Sequence, residues 1–124
     1  MIALDGRVMH VSSTAANGVV DTTTRMWFRQ RGDRVWATYA GGRVRRGALI
    51  GRRDGDRLCI RYAQTEAGGD VHGGRSCCDL LQLLDGRVRI IEHFQWSTRS
   101  GDGVNVFDEP ASPTDLSEVR SQAR

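Results

Sequence analysis

Between Arg7 and Asp108 the chain alternates runs of β-favouring residues with glycine-marked turns. The runs are Arg7 to Ser12, Thr24 to Arg31, Arg34 to Ala40, Arg43 to Arg53, Arg57 to Gln64, Val71 to Leu84, Arg87 to Thr98 and Val104 to Asp108. The punctuation comes as Asp5-Gly6, Asn17-Gly18, Asp54-Gly55 and Asp85-Gly86, joined by Gly41-Gly42, Gly68-Gly69 and Gly73-Gly74. Such pairs mark tight hairpin turns, because glycine tolerates the positive φ those turns require. The pattern predicts an all-β domain of about eight strands. Strands this close in sequence pair with their neighbours, and closing the meander removes its two exposed edges. The expected fold is therefore an antiparallel meander closed into a small barrel, lipocalin-like (calycin-like) in architecture.

A strand points successive side chains to opposite faces, so period-two alternation separates the inside of a barrel from the outside. In the seventh run Val88, Ile90, Glu92, Phe94 and Trp96 share one side, and Arg87, Arg89, His93, Gln95 and Ser97 share the other. Matching inward sets are Leu58, Ile60, Tyr62 and Gln64 in the fifth run, and Met26, Phe28 and Gln30 in the second. The fourth run is ambiguous. Val44, Arg46, Ala48 and Ile50 compete with Gly47, Leu49 and Gly51, and the first choice places Arg46 inside.

Composition narrows the classes. The 124 residues suit one domain, divided into a barrel over 1–109 and a polar tail over 110–124 that is either a short helix or disordered. In the tail, Ser112 can cap a helix with Pro113 in its first turn. No apolar run is long enough to span a bilayer, and the first residues carry Asp5, Arg7 and His10 in place of a continuous apolar leader, so a cytoplasmic protein without a membrane partner is expected. All 18 basic residues are arginine, which excludes Schiff-base and phosphate-loop lysine chemistry. The net charge of +3 is modest, and acidic residues are interspersed with the arginines. The Arg43, Arg45, Arg46, Arg52, Arg53 stretch holds no aromatic residue between its charges, so no nucleic-acid partner is expected. Three cysteines, with Cys77 and Cys78 adjacent, make an odd count that suits no disulfide framework; they are expected to stay reduced as small inert side chains.

The stretch Tyr39-Ala40-Gly41-Gly42-Arg43-Val44-Arg45-Arg46-Gly47-Ala48-Leu49-Ile50-Gly51 is followed by Arg61-Tyr62, a glycine-rich span ending near Cys77, Asp85-Gly86-Arg87-Val88-Arg89 and Glu92-His93-Phe94-Gln95-Trp96. In this order the motifs resemble a family of small bacterial β-proteins often labelled "N-acetylglutamate synthase". The resemblance spans Phe28 to Trp96. It implies a shared small β-fold and adds weight to Arg61, Tyr62, Glu92 and Trp96. No segment reads as the helix N-terminus that would cradle the pyrophosphate of acetyl-CoA, so the fold carries over and acetyl transfer does not.

Glu92 stands out as a carboxylate on an apolar face, where it must be paired, protonated or wet. Pairing with Arg46 or Arg61 would fix strand register and nothing more. Otherwise the expected function is binding of a small organic molecule in a partly polar interior, with Gln30, Tyr39, Arg46, Gln64, Phe94 and Trp96 as ligand-binding candidates. An enzyme of the same shape, a cyclase or isomerase working without a cofactor, would use Glu92 as acid or base. Tyr62, Tyr39 or Arg61 would then steady developing negative charge. A third reading is a filled barrel acting as a homodimer or interaction module. None of these calls on a metal: His10, His72 and His93 are scattered one to a strand, and the cysteines lack ligand spacing.

Overall fold

The computed structural model describes residues 2–16 and 18–111; the expected tail helix over 110–124 lies outside the described residues beyond position 111. Eight strands follow in chain order: β1 (Val8–Ser13), β2 (Arg25–Arg31), β3 (Arg34–Gly41), β4 (Val44–Asp54), β5 (Arg57–Glu66), β6 (Val71–Gln82), β7 (Val88–Trp96) and β8 (Asp102–Asp108). Each pairs antiparallel with the next, and β8 returns to β1 through His10 opposite Asp108 and Val11 opposite Phe107, closing the barrel. The all-β, eight-stranded closed meander expected from the alternation is the fold.

Two-residue turns join β2 to β3, β3 to β4 and β4 to β5, and each opens with a glycine. Gly42 and Gly55 both have φ of +62°, while no described residue other than glycine adopts positive φ. Positive φ at the first turn residue alone is the geometry that matches the twist of the flanking strands when glycine leads. The β1–β2 connection, by contrast, is long and irregular, and it folds over one end of the barrel.

The inward faces of β2, β5 and β7 are those predicted: Met26 and Phe28, Leu58 and Ile60, and Val88, Ile90, Phe94 and Trp96 are all buried. In β4 a register shift between Val44 and Arg46 puts Arg45 and Arg46 together on the outside. The inward set downstream is therefore Gly47, Leu49, Gly51 and Arg53. Arg46 is thus corrected to an exposed position, because the bulge reverses the phase of alternation. Gly47 faces Tyr39, whose ring would lie 2.2 Å from any Cβ placed there. The inside is narrow at that level and needs a residue without a side chain.

The cysteines also depart from expectation. Cys59 and Cys77 are directly opposed on β5 and β6, their Cα atoms 4.1 Å apart, and form a disulfide on the outer face. One bridge needs only two of three cysteines, so the odd count was no obstacle, and the register of two adjacent strands supplied the pairing. Cys78 points inward and remains a buried free thiol.

Candidate functional site

The two ends of the barrel receive different residues. One end collects the N-terminal segment and the β2–β3, β4–β5 and β6–β7 turns; the other collects the remaining connections. At the second end the inward residues of β3, β5, β7 and β8 turn from aliphatic to aromatic and polar, and they enclose a cavity of about 30 Å³. That is room for one or two waters. Val19 and Val20, from the β1–β2 connection, form part of its wall.

Two hydrogen-bonded chains frame the cavity. In the first, the Tyr39 hydroxyl donates to Gln64 Oε1 at 2.8 Å, and Gln64 Nε2 donates to Glu66 Oε2 at 2.9 Å. The other Glu66 oxygen accepts from Arg99 at 2.6 Å. Arg99 lies over the Trp96 ring, 4.5 Å from its centroid. Burial pushes the Glu66 carboxyl up, but the Arg99 and Gln64 hydrogen bonds outweigh it and hold the group below its usual value. Glu66 is therefore a carboxylate.

The second chain centres on Glu92. Ser76 Oγ donates to its Oε2 at 2.7 Å and Asn105 Nδ2 to its Oε1 at 2.9 Å. Asn105 Oδ1 in turn accepts from Thr14 Oγ1 at 2.8 Å, tying the β1–β2 connection to the carboxyl. Among the described residues no arginine pairs with Glu92, and burial raises its pKa against the lowering effect of its two donors and of His93. The same burial raises the pKa of Tyr39 and Tyr62, with the Glu92 charge adding to it, so both phenols stay protonated donors.

Three donors at this end have no partner. Tyr62 Oη, Trp96 Nε1 and Arg99 Nε are buried and unbonded among the described residues. They form one cluster: the Tyr62 and Trp96 rings meet edge-on at 5.5 Å, and Arg99 covers Trp96. Gly74 makes space for the first of them, since a Cβ there would sit 2.5 Å from the Tyr62 hydroxyl.

Of the residues expected to share a site, Glu92, Tyr62, Tyr39, Gln64, Phe94 and Trp96 all line this cavity. Three do not. Arg61 is exposed, because neighbouring residues on a strand face opposite ways and Tyr62 faces in. Arg46 is outside for the reason given above. Gln30 sits at the opposite end, where its Oε1 accepts from the Leu4 backbone N at 3.0 Å and from Arg53 at 3.2 Å. The register-fixing pair of Glu92 with Arg46 or Arg61 is accordingly absent. Reasoning from sequence missed Glu66, Ser76 and Asn105, although extending the inward parity of β5, β6 and β8 reaches all three. Arg99 lies in the β7–β8 connection and carried no periodic signal.

A closed up-and-down barrel of eight strands with an aromatic, hydrogen-bonding cavity at one end defines the class of calycin-type barrels. A family model described as avidin-like protein matches residues 2–110, and the chain belongs to the avidin-like family. No curated protein and no solved structure matches the chain.

Proposed function

We propose that the barrel binds a small organic molecule at its polar end through an oxygen acceptor, such as a carbonyl, ureido or carboxylate group. The observation that carries this reading is the cluster of buried, unpartnered donors on Tyr62, Trp96 and Arg99. A buried donor without a partner costs about 1–3 kcal/mol, and one ligand oxygen placed among them would recover much of it. Membership of the avidin-like family, whose members bind small molecules, supports the same reading. The cavity of about 30 Å³ is too small for an organic ligand, so binding requires Val19 and Val20 to move out with the β1–β2 connection. The Thr14 to Asn105 hydrogen bond would be the tether that yields.

Native mass spectrometry beside denatured mass spectrometry of the same sample tests the proposal by revealing any retained small molecule. Titration with biotin, the type of ligand associated with the family, is the companion measurement. Binding should slow hydrogen exchange in the β1–β2 connection and should weaken at least ten-fold in Tyr62→Phe. A chain that retains nothing and takes up neither biotin nor simple cyclic amides and carboxylates would overturn it.

A further inference from the structure

The unpartnered donors account for one part of the polar end, and Glu92 for another. It is the one carboxyl among the described residues that line the cavity. Both of its oxygens already accept, one from Ser76 and one from Asn105, and Asn105 is fixed as a donor because its Oδ1 takes the Thr14 hydroxyl. Neutral hydrogen bonds orient a buried carboxylate but supply no counter-charge, and an ion left without one in an apolar surround is costly. The arginine packed on Trp96 does not supply it: Arg99 is taken up by Glu66 at 2.6 Å.

A glutamine would satisfy the same two partners, accepting from Asn105 and donating to Ser76, with no charge to bury. A fold that needed only those two bonds has no use for the acid. What glutamate adds is a proton that can leave and a negative charge that can meet a positive one. Around it Val19, Leu49, Phe94 and Phe107 give the cavity wall an apolar lining, which strengthens any ion pair formed inside. The Glu66–Arg99 pair cancels its own charge, so Arg99 offers little repulsion to a cation entering beside Glu92.

We propose that the ligand joins to its oxygen acceptor a basic nitrogen, an amine or amidine, which pairs with Glu92; this rests on the oxygen-acceptor binding proposed for the same cavity. A ligand arriving as the cation displaces the Glu92 proton to solvent, and one arriving as the free base takes that proton onto its nitrogen. In both cases the bound state is a carboxylate against a cation, with Ser76 and Asn105 still donating to the two oxygens. Among the described residues, the ionisable groups turned toward Glu92 are the Tyr39 and Tyr62 phenols from β3 and β5 and the Cys78 thiol from β6, all held protonated by burial. β2, β4 and β8 line the wall with Met26, Leu49, Asn105 and Phe107, and β1 turns Met9 and Val11 inward, none of them ionisable. Glu66 is held ionised by Arg99. His93, next to Glu92 in the chain, lies on the outer face 3.5 Å from Asp79.

The test is calorimetric titration of the full chain with δ-valerolactam carrying either an amino or a methyl group, one matched pair for each ring carbon open to substitution. The lactam oxygen serves the Tyr62, Trp96 and Arg99 donors in both members of a pair, and only the amino member offers Glu92 a cation. At least one amino derivative should bind at least roughly ten-fold tighter than its methyl partner, and in Glu92→Gln that ratio should fall to about one or below. At pH 4.5, the ordinary value for the carboxyl, Glu92 in the free barrel is mostly protonated. Binding of the amino derivative there should release close to one proton, read from heats in two buffers of different ionisation enthalpy. Its affinity should rise with pH until Glu92 is ionised in the free protein, and His93→Gln should leave that rise in place. The wild-type pairs and the proton count require no variant to fold. Methyl derivatives that bind as well as every amino derivative, or a preference that survives Glu92→Gln, would overturn the basic nitrogen and leave the oxygen acceptor standing. Uptake of neither kind would overturn both.

Discussion

The two ends of this barrel are built from the same strands yet obey different rules. At the plugged end the N-terminal segment folds across the opening, with Leu4 fully buried, and Leu58, Leu80, Val35 and Val88 meet beneath it at 1% exposure or less. Arg53, buried there, is spent on closure: its guanidinium donates to Gly55 O at 3.0 Å, to Gln30 Oε1 at 3.2 Å and to the Ile2 carbonyl, leaving one nitrogen, Nη2, unbonded among the described residues. The acceptors there are a turn carbonyl, the end of β2 and the N-terminal segment. At the other end the polar groups point inward, and among the described residues three donors go unpartnered and Glu92 has no arginine beside it. The plugged end is packed to be stable. The open end keeps polar groups that a molecule selected only for stability would discard.

Truncating the aliphatic core should separate the ends most sharply. Leu80→Ala removes a side chain 1% exposed in the aliphatic core, away from the polar cavity, and should cost about 3–5 kcal/mol. Leu49→Ala is the same chemical change beside the existing cavity and under the movable β1–β2 connection, and should cost about 2–3 kcal/mol, the lower part of that range. Urea unfolding of both variants checks the difference. Equal losses would mean that the open end is packed as tightly as the plugged one.

This division was only half legible beforehand. Alternation reveals the face a residue takes, because one face of each strand is buried, and it placed Glu92, Tyr62, Gln64, Phe94 and Trp96 inside. It says nothing of height along the barrel axis, which is why Gln30 was grouped with residues at the other end. The β4 bulge shifts the phase by one residue, so neither inward set could be chosen in advance and Arg46 could be drawn inside. Arg61 was drawn in by the weight of a shared motif against the parity of its own neighbour. The Cys59–Cys77 bridge and the Ser76 and Asn105 bonds to Glu92 depend on how distant segments come into register, and no local pattern carries that.

A smaller effect, of about 1 kcal/mol or more at neutral pH, should come from Glu92→Gln. The amide can still accept from Asn105 and donate to Ser76, so the bonds survive while the charge does not. Burial raises the Glu92 pKa, so the folded barrel keeps this proton at pH values where the unfolded chain has released it. The stability supplied by the protonated form is fully present below the ordinary value of 4.5 and is lost as pH rises through the folded-state value. Asp108 runs the opposite way: bonded to Arg89 and Ser12, it is held below 3.8, and its contribution is lost as pH falls. Melting curves of wild type and Glu92→Gln should therefore coincide near pH 4 and separate above it, the variant melting higher. Parallel curves across that window would mean that Glu92 is not protonated in the fold.

The smallest change in stability should come from Tyr62→Phe, and it bears most directly on why the ends differ. Its hydroxyl is buried and has no partner among the described residues, so removing the oxygen removes a desolvation cost and no hydrogen bond. The unliganded variant should be more stable by about 1 kcal/mol, read from its unfolding midpoint at unchanged slope. Ligand affinity should move the other way and fall at least ten-fold, since the acceptor loses one of three donors. Two effects of opposite sign from one atom are what a binding group predicts. A variant that loses stability would show instead that the hydroxyl is already satisfied in solution, by water held in the cavity, and that the open end is as fully bonded as the plugged one.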